Sequence, residues 1–140
     1  MRSEIQKLSC ITFLVTVCLW QGCDIINPDE TIPARIQINP VELHMQPGQG
    51  SARHKITDIW VSANNNFVGI YNPPTEAHYI TDSPVTNFVF SPVIRNNGIL
   101  SDAIIYPMLT PYEIELPTTP GSFSAVTPVT RYKPEAVFSL

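Results

Sequence analysis

Proline is the residue that most limits the folds open to this chain. Fourteen of its 140 residues are proline, and they recur from Pro28 to Pro134. Each proline lacks a backbone N–H and clashes with the preceding helical turn, so it ends or kinks a helix, yet it is accepted at turns and strand edges. The chain after residue 22 also shows no apolar period of a helix. The sequence therefore predicts an all-β domain of short strands.

The first 23 residues differ from the rest and are typical of an export signal. A basic start precedes an apolar run at residues 8–20. This run is shorter than the roughly 20 residues that cross a hydrocarbon core, but it has the length of a signal-peptide core. Gly22-Cys23 then resembles the lipobox of bacterial lipoproteins, in which cleavage leaves an acylated cysteine as the first residue. Trp20 and Gln21 depart from the usual lipobox, so an ordinary secretory signal or an uncleaved anchor is the alternative.

Cysteine usage supports lipid attachment at Cys23. Cys10 and Cys18 lie within the apolar run and would be removed with it, which leaves Cys23 as the only cysteine of the mature chain. A single cysteine in an exported protein forms no internal disulfide, and a thioether to lipid removes its reactive thiol. Several acyl chains together bind a membrane stably, where one binds only marginally. We therefore expect a lipid-anchored protein of the cell envelope, held to the outer membrane on its periplasmic or cell-surface face.

The chain is predicted to have three parts. Residues 1–22 form the signal peptide, residues 23–34 the acylated cysteine and a tether, and residues 35–140 a β domain. The tether is acidic and contains two prolines, which is typical of a linker. The apolar ending at residues 136–140 indicates that the domain is truncated or continues into a further one.

Alternation of apolar and polar residues predicts the strands. The alternation changes phase at Asn39-Pro40, which predicts a bulge, a kink or a switch between sheets. The clearest hairpin joins residues 55–63 to residues 67–71 through three asparagines. Further strands are predicted at residues 78–80, 87–95, 103–106, 112–116 and 123–132, with Pro92 forcing an edge position or a bulge. About seven short strands of this kind point to an antiparallel immunoglobulin-like β-sandwich.

Two stretches carry a resemblance to a known family. They are HKITDIWV at residues 54–61, and IRNNGI at residues 94–99 leading into residues 106–107 and 111–113. With the lipobox they resemble uncharacterised lipoproteins of the Bacteroidota, in which a signal and a tether precede an immunoglobulin-like β-sandwich. The resemblance covers nearly the whole mature chain. It implies an envelope location and a further C-terminal β-sandwich, and it supplies no catalytic residues. Asn66 stands where the family usually has a glycine-containing turn.

Trp60 and Tyr71 are the candidate ligand-contacting residues. Trp60 shares its strand face with Ile56, Asp58 and Ser62. The opposite face is the expected core face and carries Thr57, Ile59, Val61 and Ala63. An exposed tryptophan there would stack on a sugar ring. The alternative is a tryptophan packed between two sheets, and Tyr71 carries the same ambiguity.

No residue set predicts a catalytic, cofactor or metal site. His44, His54 and His78 are the only imidazoles, and none has a second ligand type at metal-binding spacing. Glu113 and Glu115 share one strand face, whereas paired glycosidase carboxylates usually flank a cleft. The net charge of −4 and the absence of a basic patch make nucleic acid an unexpected partner.

The sequence thus leaves two main hypotheses of function. The first is a noncatalytic, lipid-anchored spacer or protein-docking module, whose open sheet edges favour strand addition or domain packing. The second is a glycan-binding accessory lipoprotein of a polysaccharide-uptake system that uses Trp60 and nearby tyrosines. Exposure of these aromatic residues on one flat patch would favour the second. An enzyme would need a further catalytic domain.

Overall fold

The computed structural model describes residues 30–136, together with residues 2, 6 and 7. Contacts divide the chain into two units, Met1–Thr31 and Ile32–Leu140. Of the described residues of the first unit, Arg2, Gln6 and Lys7 are helical, whereas Glu30 and Thr31 belong to no helix or strand. Nowhere in the described residues is there a helix with the length and apolar character needed to span a membrane. Cys23 and the predicted signal-peptide core lie outside the described residues, so lipidation stays a prediction.

The second unit is an all-β fold, as predicted. Two short 3₁₀ helices, Asn96–Gly98 and Leu100–Asp102, lie in the connection between two of its strands. Ten strands lie between Ala34 and Arg131, more than the seven or so expected, because the stretches on the two sides of Asn39-Pro40 are separate strands and the strand predicted at residues 123–132 is divided in two. In chain order the strands are β1 Ala34–Ile38, β2 Glu42–His44, β3 Asp58–Ala63, β4 Asn66–Tyr71, β5 Thr75–Tyr79, β6 Val85–Arg95, β7 Ala103–Ile105, β8 Tyr112–Pro117, β9 Phe123–Val126 and β10 Val129–Arg131.

The strands form three sheets. The largest has the order β4-β3-β6, and β8 and β7 both pair with the far side of β6, one after the other. A second sheet has the order β5-β1-β9, and β10 and β2 form a third. The β1–β9 and β2–β10 pairs are parallel, whereas the other strand pairs are antiparallel.

The phase change at Asn39-Pro40 is a switch between sheets, which confirms one of the predicted options. The Asn39 backbone N–H donates to the Val126 carbonyl at 2.8 Å, and its side-chain amide donates to Thr127 Oγ1 at 3.0 Å. The break between β9 and β10 lies beside the break between β1 and β2. The two neighbouring stretches of chain therefore pass from one sheet to the other at the same point. Pro40 and Pro128 lie in these breaks, where the ladder is already interrupted and a missing N–H costs little.

One apolar core joins the largest sheet to the β5-β1-β9 sheet. Ile59, Val61 and Ala63 of β3 are buried, as predicted, whereas Thr57 precedes the strand and is exposed. Phe88 and Phe90 of β6 lie beside them with ring centroids 6.3 Å apart. The remaining core members come from both sheets and the turn after β1, and are Ile36, Ile38, Val41, Ala77, Leu116 and Val126. Burying a side chain of this size contributes about 1.5–3 kcal/mol, so this core is the main source of stability.

The predicted β3–β4 hairpin is confirmed, with a shorter turn than expected. Asn64 and Asn65 form the turn with φ of 47° and 65°. Positive φ at both central residues is the type I′ geometry, which matches the twist of the strands. Asn66, expected in the turn, is instead the first residue of β4.

Pro92 lies in the central strand β6, so the predicted edge position or bulge is wrong. β3 pairs with β6 without a register shift at Pro92. On the other side, β8 ends opposite Phe90 and β7 begins opposite Val93, which leaves Pro92 between them. The Pro92 carbonyl accepts the Tyr106 N–H on that side at 2.8 Å. The N and the C=O of a residue in an antiparallel strand point the same way, so the missing N–H faces this gap and breaks no ladder bond.

Candidate functional site

The domain has two ends that differ in structure, the closed end and the open end. β6 begins at the closed end with Val85 and spans about 36 Å along its 11 residues to Arg95 at the open end. The start of β1 also lies at the closed end: the Arg35 N–H donates to the Ser122 carbonyl at 2.8 Å, and Ser122 Oγ donates to the carbonyl of Pro117, which pairs with Val85. The chain therefore enters the domain at the closed end.

Two buried threonines form a hydrogen-bonded cluster at the closed end. Thr86 and Thr118 are each 1% exposed, and their hydroxyl oxygens are 2.9 Å apart. Thr118 Oγ1 donates to the Ser83 carbonyl at 2.7 Å, so the Thr86 hydroxyl is the donor between the two threonines. The Thr118 N–H donates to the Pro84 carbonyl at 2.9 Å. Every polar group of this cluster is satisfied, and it offers no ligand a free donor or acceptor.

The open end carries the largest group of exposed apolar side chains. Six of the eleven exposed large hydrophobic residues in the described chain fall within residues 94–108. We call this group the open tip; its members are Ile94, Ile99, Leu100, Ile104, Ile105 and Met108. Ile94 and Ile104 lie directly opposite each other across β6 and β7. The other five are distributed over separate elements and are Ile32, Phe67, Ile80, Val85 and Phe123.

A pocket of about 190 Å³ opens beside the open tip. Its inner wall includes the buried residues Leu43 and Leu109, and its outer rim includes the exposed Arg53, His54 and Lys55. Ile94 belongs both to the pocket wall and to the open tip. The basic residues of the rim lie in the loop after β2. Local sequence patterns do not show that this loop lies next to β6. This pocket was therefore not predicted from the sequence.

An ion pair on the outer face of the largest sheet links the start of β3 to the end of β6. Arg95 Nε donates to Asp58 Oδ2 at 2.8 Å, and a second guanidinium nitrogen donates to Oδ1. The Asp58 side chain is only 2% exposed. The hydrogen bonds from Arg95 lower the pKa of Asp58 against the opposing effect of burial, and Thr57 and Asn72 lower it further. The two hydrogen bonds from one guanidinium to one carboxylate hold the ends of the two strands together.

Trp60 lies on the outer face of the largest sheet, away from the core. It is partly exposed and contacts Phe67, with ring centroids 4.2 Å apart and planes inclined by 40°. A tryptophan packed between the sheets is therefore not what the structure shows. Tyr71 pairs with the core residue Ile59. It therefore lies on the inner face of the sheet, where it packs against the core. Trp60 and Tyr71 therefore do not lie together in the structure. Phe67, which was not a predicted site residue, lies beside Trp60 instead.

Two carboxylates share the outer face with Trp60. Across the sheet, Ser62 pairs with Val89 and Val89 pairs with Glu113. Glu113 and Glu115 are both exposed, as their alternation predicted. Two strand spacings separate Glu113 from Ser62, which is about 10 Å. The outer face thus holds an aromatic pair on one side and two carboxylates on the other.

The histidines form no common site. His44 Nε2 lies 3.4 Å from a Glu42 oxygen, and His78 Nε2 lies 3.3 Å from a Glu76 oxygen. His54 lies at the pocket rim, where its Nδ1 accepts the Ile56 N–H at 3.3 Å. Within the described part of the chain, no group of three histidine, cysteine, aspartate or glutamate side chains could hold a metal ion.

Comparison with known proteins gives no relative. No protein-family model, no curated protein and no solved structure matches the chain.

Proposed function

We propose that this chain is a noncatalytic, lipid-anchored lipoprotein of the cell envelope that docks another protein through the open tip. Acyl chains on Cys23 hold it to the outer membrane, and residues 24–33 act as the tether. The lipobox and the stretch at residues 54–61 support a place among the Bacteroidota lipoproteins described above.

The domain itself is proposed to be of the immunoglobulin-like sandwich type. The antiparallel five-stranded sheet and the mixed β5-β1-β9 sheet share one core, and their inward residues alternate with outward polar ones, as that type requires. Short strands joined by tight turns, such as the Asn64-Asn65 turn, agree with it.

The position of the open tip carries the docking proposal. Groups of exposed apolar side chains mark contacts with proteins or membranes. Here the group lies at the end opposite Ala34, where the tether enters, and β6 separates the two ends by about 36 Å. The tether joins the domain at the Ala34 end, so the open tip is the end of the domain away from this attachment. β7, at the edge of the sheet, adds backbone groups that a partner strand can pair with.

Site-specific photocrosslinking in the native cell tests docking. A photoreactive amino acid is placed at Ile105, which is 50% exposed, and at Val85, which is 49% exposed at the closed end. Docking predicts a crosslinked product of one defined mass from position 105 and none from position 85. Equal products from both positions, or none from either, would contradict it.

Mass spectrometry of the membrane-bound protein tests the anchor. The wild type is expected to begin at a triacylated Cys23, and a Cys23→Ala variant is expected to be released or left uncleaved. An unmodified Cys23 in the wild type would rule out the lipid anchor.

A glycan-binding role is the second candidate, and the outer face favours it. Trp60 and Phe67 offer a partly exposed aromatic surface, and Glu113 lies on the same face as a hydrogen-bond acceptor. Trp60 is the only tryptophan after residue 20, so its fluorescence in the mature chain reports on this face alone. Titration with linear glucans, mannan and xylan should shift the emission, and Phe67→Ala should reduce the shift. An unchanged emission with all of them would exclude this role for the face.

A further inference from the structure

We propose that the pocket beside the open tip receives one apolar side chain of a docked protein, and that Arg53 and Lys55 bind a carboxylate next to it on the same peptide. The proposal rests on the docking function and names the chemistry of the partner: an acidic peptide segment with a single apolar side chain.

The size of the pocket favours a single side chain. Sites for whole small ligands usually measure about 300–1,000 Å³. This pocket measures about 190 Å³, and its inner wall includes Leu43 and Leu109, which are 7% and 4% exposed. An oligosaccharide or a cofactor does not fit in that volume, whereas a leucine or phenylalanine side chain does.

The charge of the rim favours a carboxylate beside that side chain. The chain as a whole has a net charge of −4, yet the pocket lining contains Arg53 and Lys55 and no aspartate or glutamate. By contrast, Arg35 and Arg95 each have a carboxylate within 4.0 Å. No ion pair within the described residues 30–136 includes Arg53 or Lys55. Their positive charge is therefore available to an acidic partner.

The position of the pocket joins it to the docking surface. Ile94 lines the pocket and is itself 38% exposed in the open tip. Ile104 lies directly opposite Ile94 and extends the same apolar surface. A partner chain lying on the open tip therefore passes the mouth of the pocket, and one side chain inserted there would fix its register, as buried anchors do in other interfaces.

The test is a titration of the mature protein, followed by ¹H–¹⁵N NMR, with three capped peptides. The first is Ac-GDFDG-NH₂, the second Ac-GKFKG-NH₂ and the third Ac-GDGDG-NH₂. Only the first should shift the amide signals of pocket residues such as Leu43 and Tyr106, with a Kd of about 1 mM. Raising the salt concentration from 50 to 500 mM should weaken binding, because the carboxylates are screened.

Two matched double variants separate the pocket from the general charge of this end. Arg53→Gln with Lys55→Gln should weaken binding of the first peptide about fivefold. Arg131→Gln with Lys133→Gln removes the same charge outside the pocket lining and should leave binding unchanged. Equal weakening by both pairs, equal shifts with all three peptides, or shifts centred on Trp60 would overturn the proposal.

The outcome is distinguishable from failure of the docking function. If position 105 crosslinks a partner while the acidic peptide does not bind, docking stands and the proposed pocket chemistry is wrong. If the peptide binds the pocket while position 105 crosslinks nothing, the pocket is a peptide site and the open tip is not a docking surface.

Discussion

The two ends of the domain share the strand β6, yet one is closed and the other is open. At the closed end, Thr86 and Thr118 are buried and fully hydrogen-bonded. At the open end, Ile94 lies on the same face as the core residue Phe90 and is nevertheless 38% exposed. The side-chain alternation is the same, so the difference lies in what covers the strand. An apolar residue on the inner face is buried only where a second sheet reaches it.

Thr118→Val should give the largest loss of stability, because it breaks the closed end. The valine has the same shape but removes the donor to the Ser83 carbonyl and the acceptor for the Thr86 hydroxyl. Leaving buried polar groups unsatisfied costs about 2–3 kcal/mol, which lowers Tm by about 10 °C. Thermal unfolding followed by circular dichroism measures this. Thr119→Val, at an exposed neighbouring position, is the control and should change stability by less than about 0.5 kcal/mol.

Asp58→Asn should have the next largest effect, and this effect should depend on pH. Its charge-assisted hydrogen bonds with Arg95 contribute about 1.5 kcal/mol at neutral pH. Because the pKa of Asp58 in the folded state lies below its ordinary 3.8, this contribution is complete above about pH 4 and declines as the pH falls towards the lowered pKa.

The difference in Tm between wild type and Asp58→Asn should therefore be constant from pH 5 to 8 and shrink below about pH 4. Denaturation at several pH values measures it. Glu76→Gln removes a more exposed carboxylate 3.9 Å from Arg35 and should cost less than about 0.5 kcal/mol. A difference for Asp58→Asn that persists unchanged to pH 2 would show that the ion pair is not its source.

Asn65→Gly should stabilise the domain slightly. Asn65 has a φ of 65°, which glycine adopts without the strain that a side chain causes. We expect a gain of about 0.5 kcal/mol in the free energy of unfolding. Asn66→Gly places the glycine in β4 instead and should destabilise by a similar amount. Urea denaturation distinguishes the two, and the same sign for both would contradict the assigned turn.

Substitutions in the open tip should have the smallest effect on stability. Ile99 and Leu100 are 56% and 43% exposed, so replacing both with serine removes little buried area. The free energy of unfolding should change by less than about 0.5 kcal/mol. The crosslinked product from position 105 should nevertheless be lost. A large loss of stability would mean that the open tip supports the fold and that the contrast between the two ends is smaller than proposed.

Local sequence patterns predicted much of the fold because they depend on near neighbours. The alternation around Ile59 and Val61 identified a core face, and the asparagines after β3 identified a hairpin. The phase change at Asn39-Pro40 identified the position of the sheet switch, without distinguishing a switch from a bulge or a kink. Each of these features follows from period-two alternation or from turn chemistry within a few residues.

The candidate surfaces were harder to predict because they depend on pairing between distant residues. Trp60 was expected either in the core or on a ligand face with Tyr71. The register of β3 with β4 instead placed Phe67 beside it. The pocket brings Arg53, Ile94 and Tyr132 together from three separate parts of the chain. The periodicity of a short stretch of sequence does not predict a contact between such distant residues.

The chain's own pattern of proline, turn residues and alternating apolar side chains was enough to specify an all-β domain and the positions of most strands. Tertiary structure decided that Pro92 fits a central strand, because its missing N–H faces the gap between β8 and β7. It also decided which end of the core is open. The physical reason is that strand periodicity tells which way a side chain points, whereas burial depends on whether another sheet reaches that point.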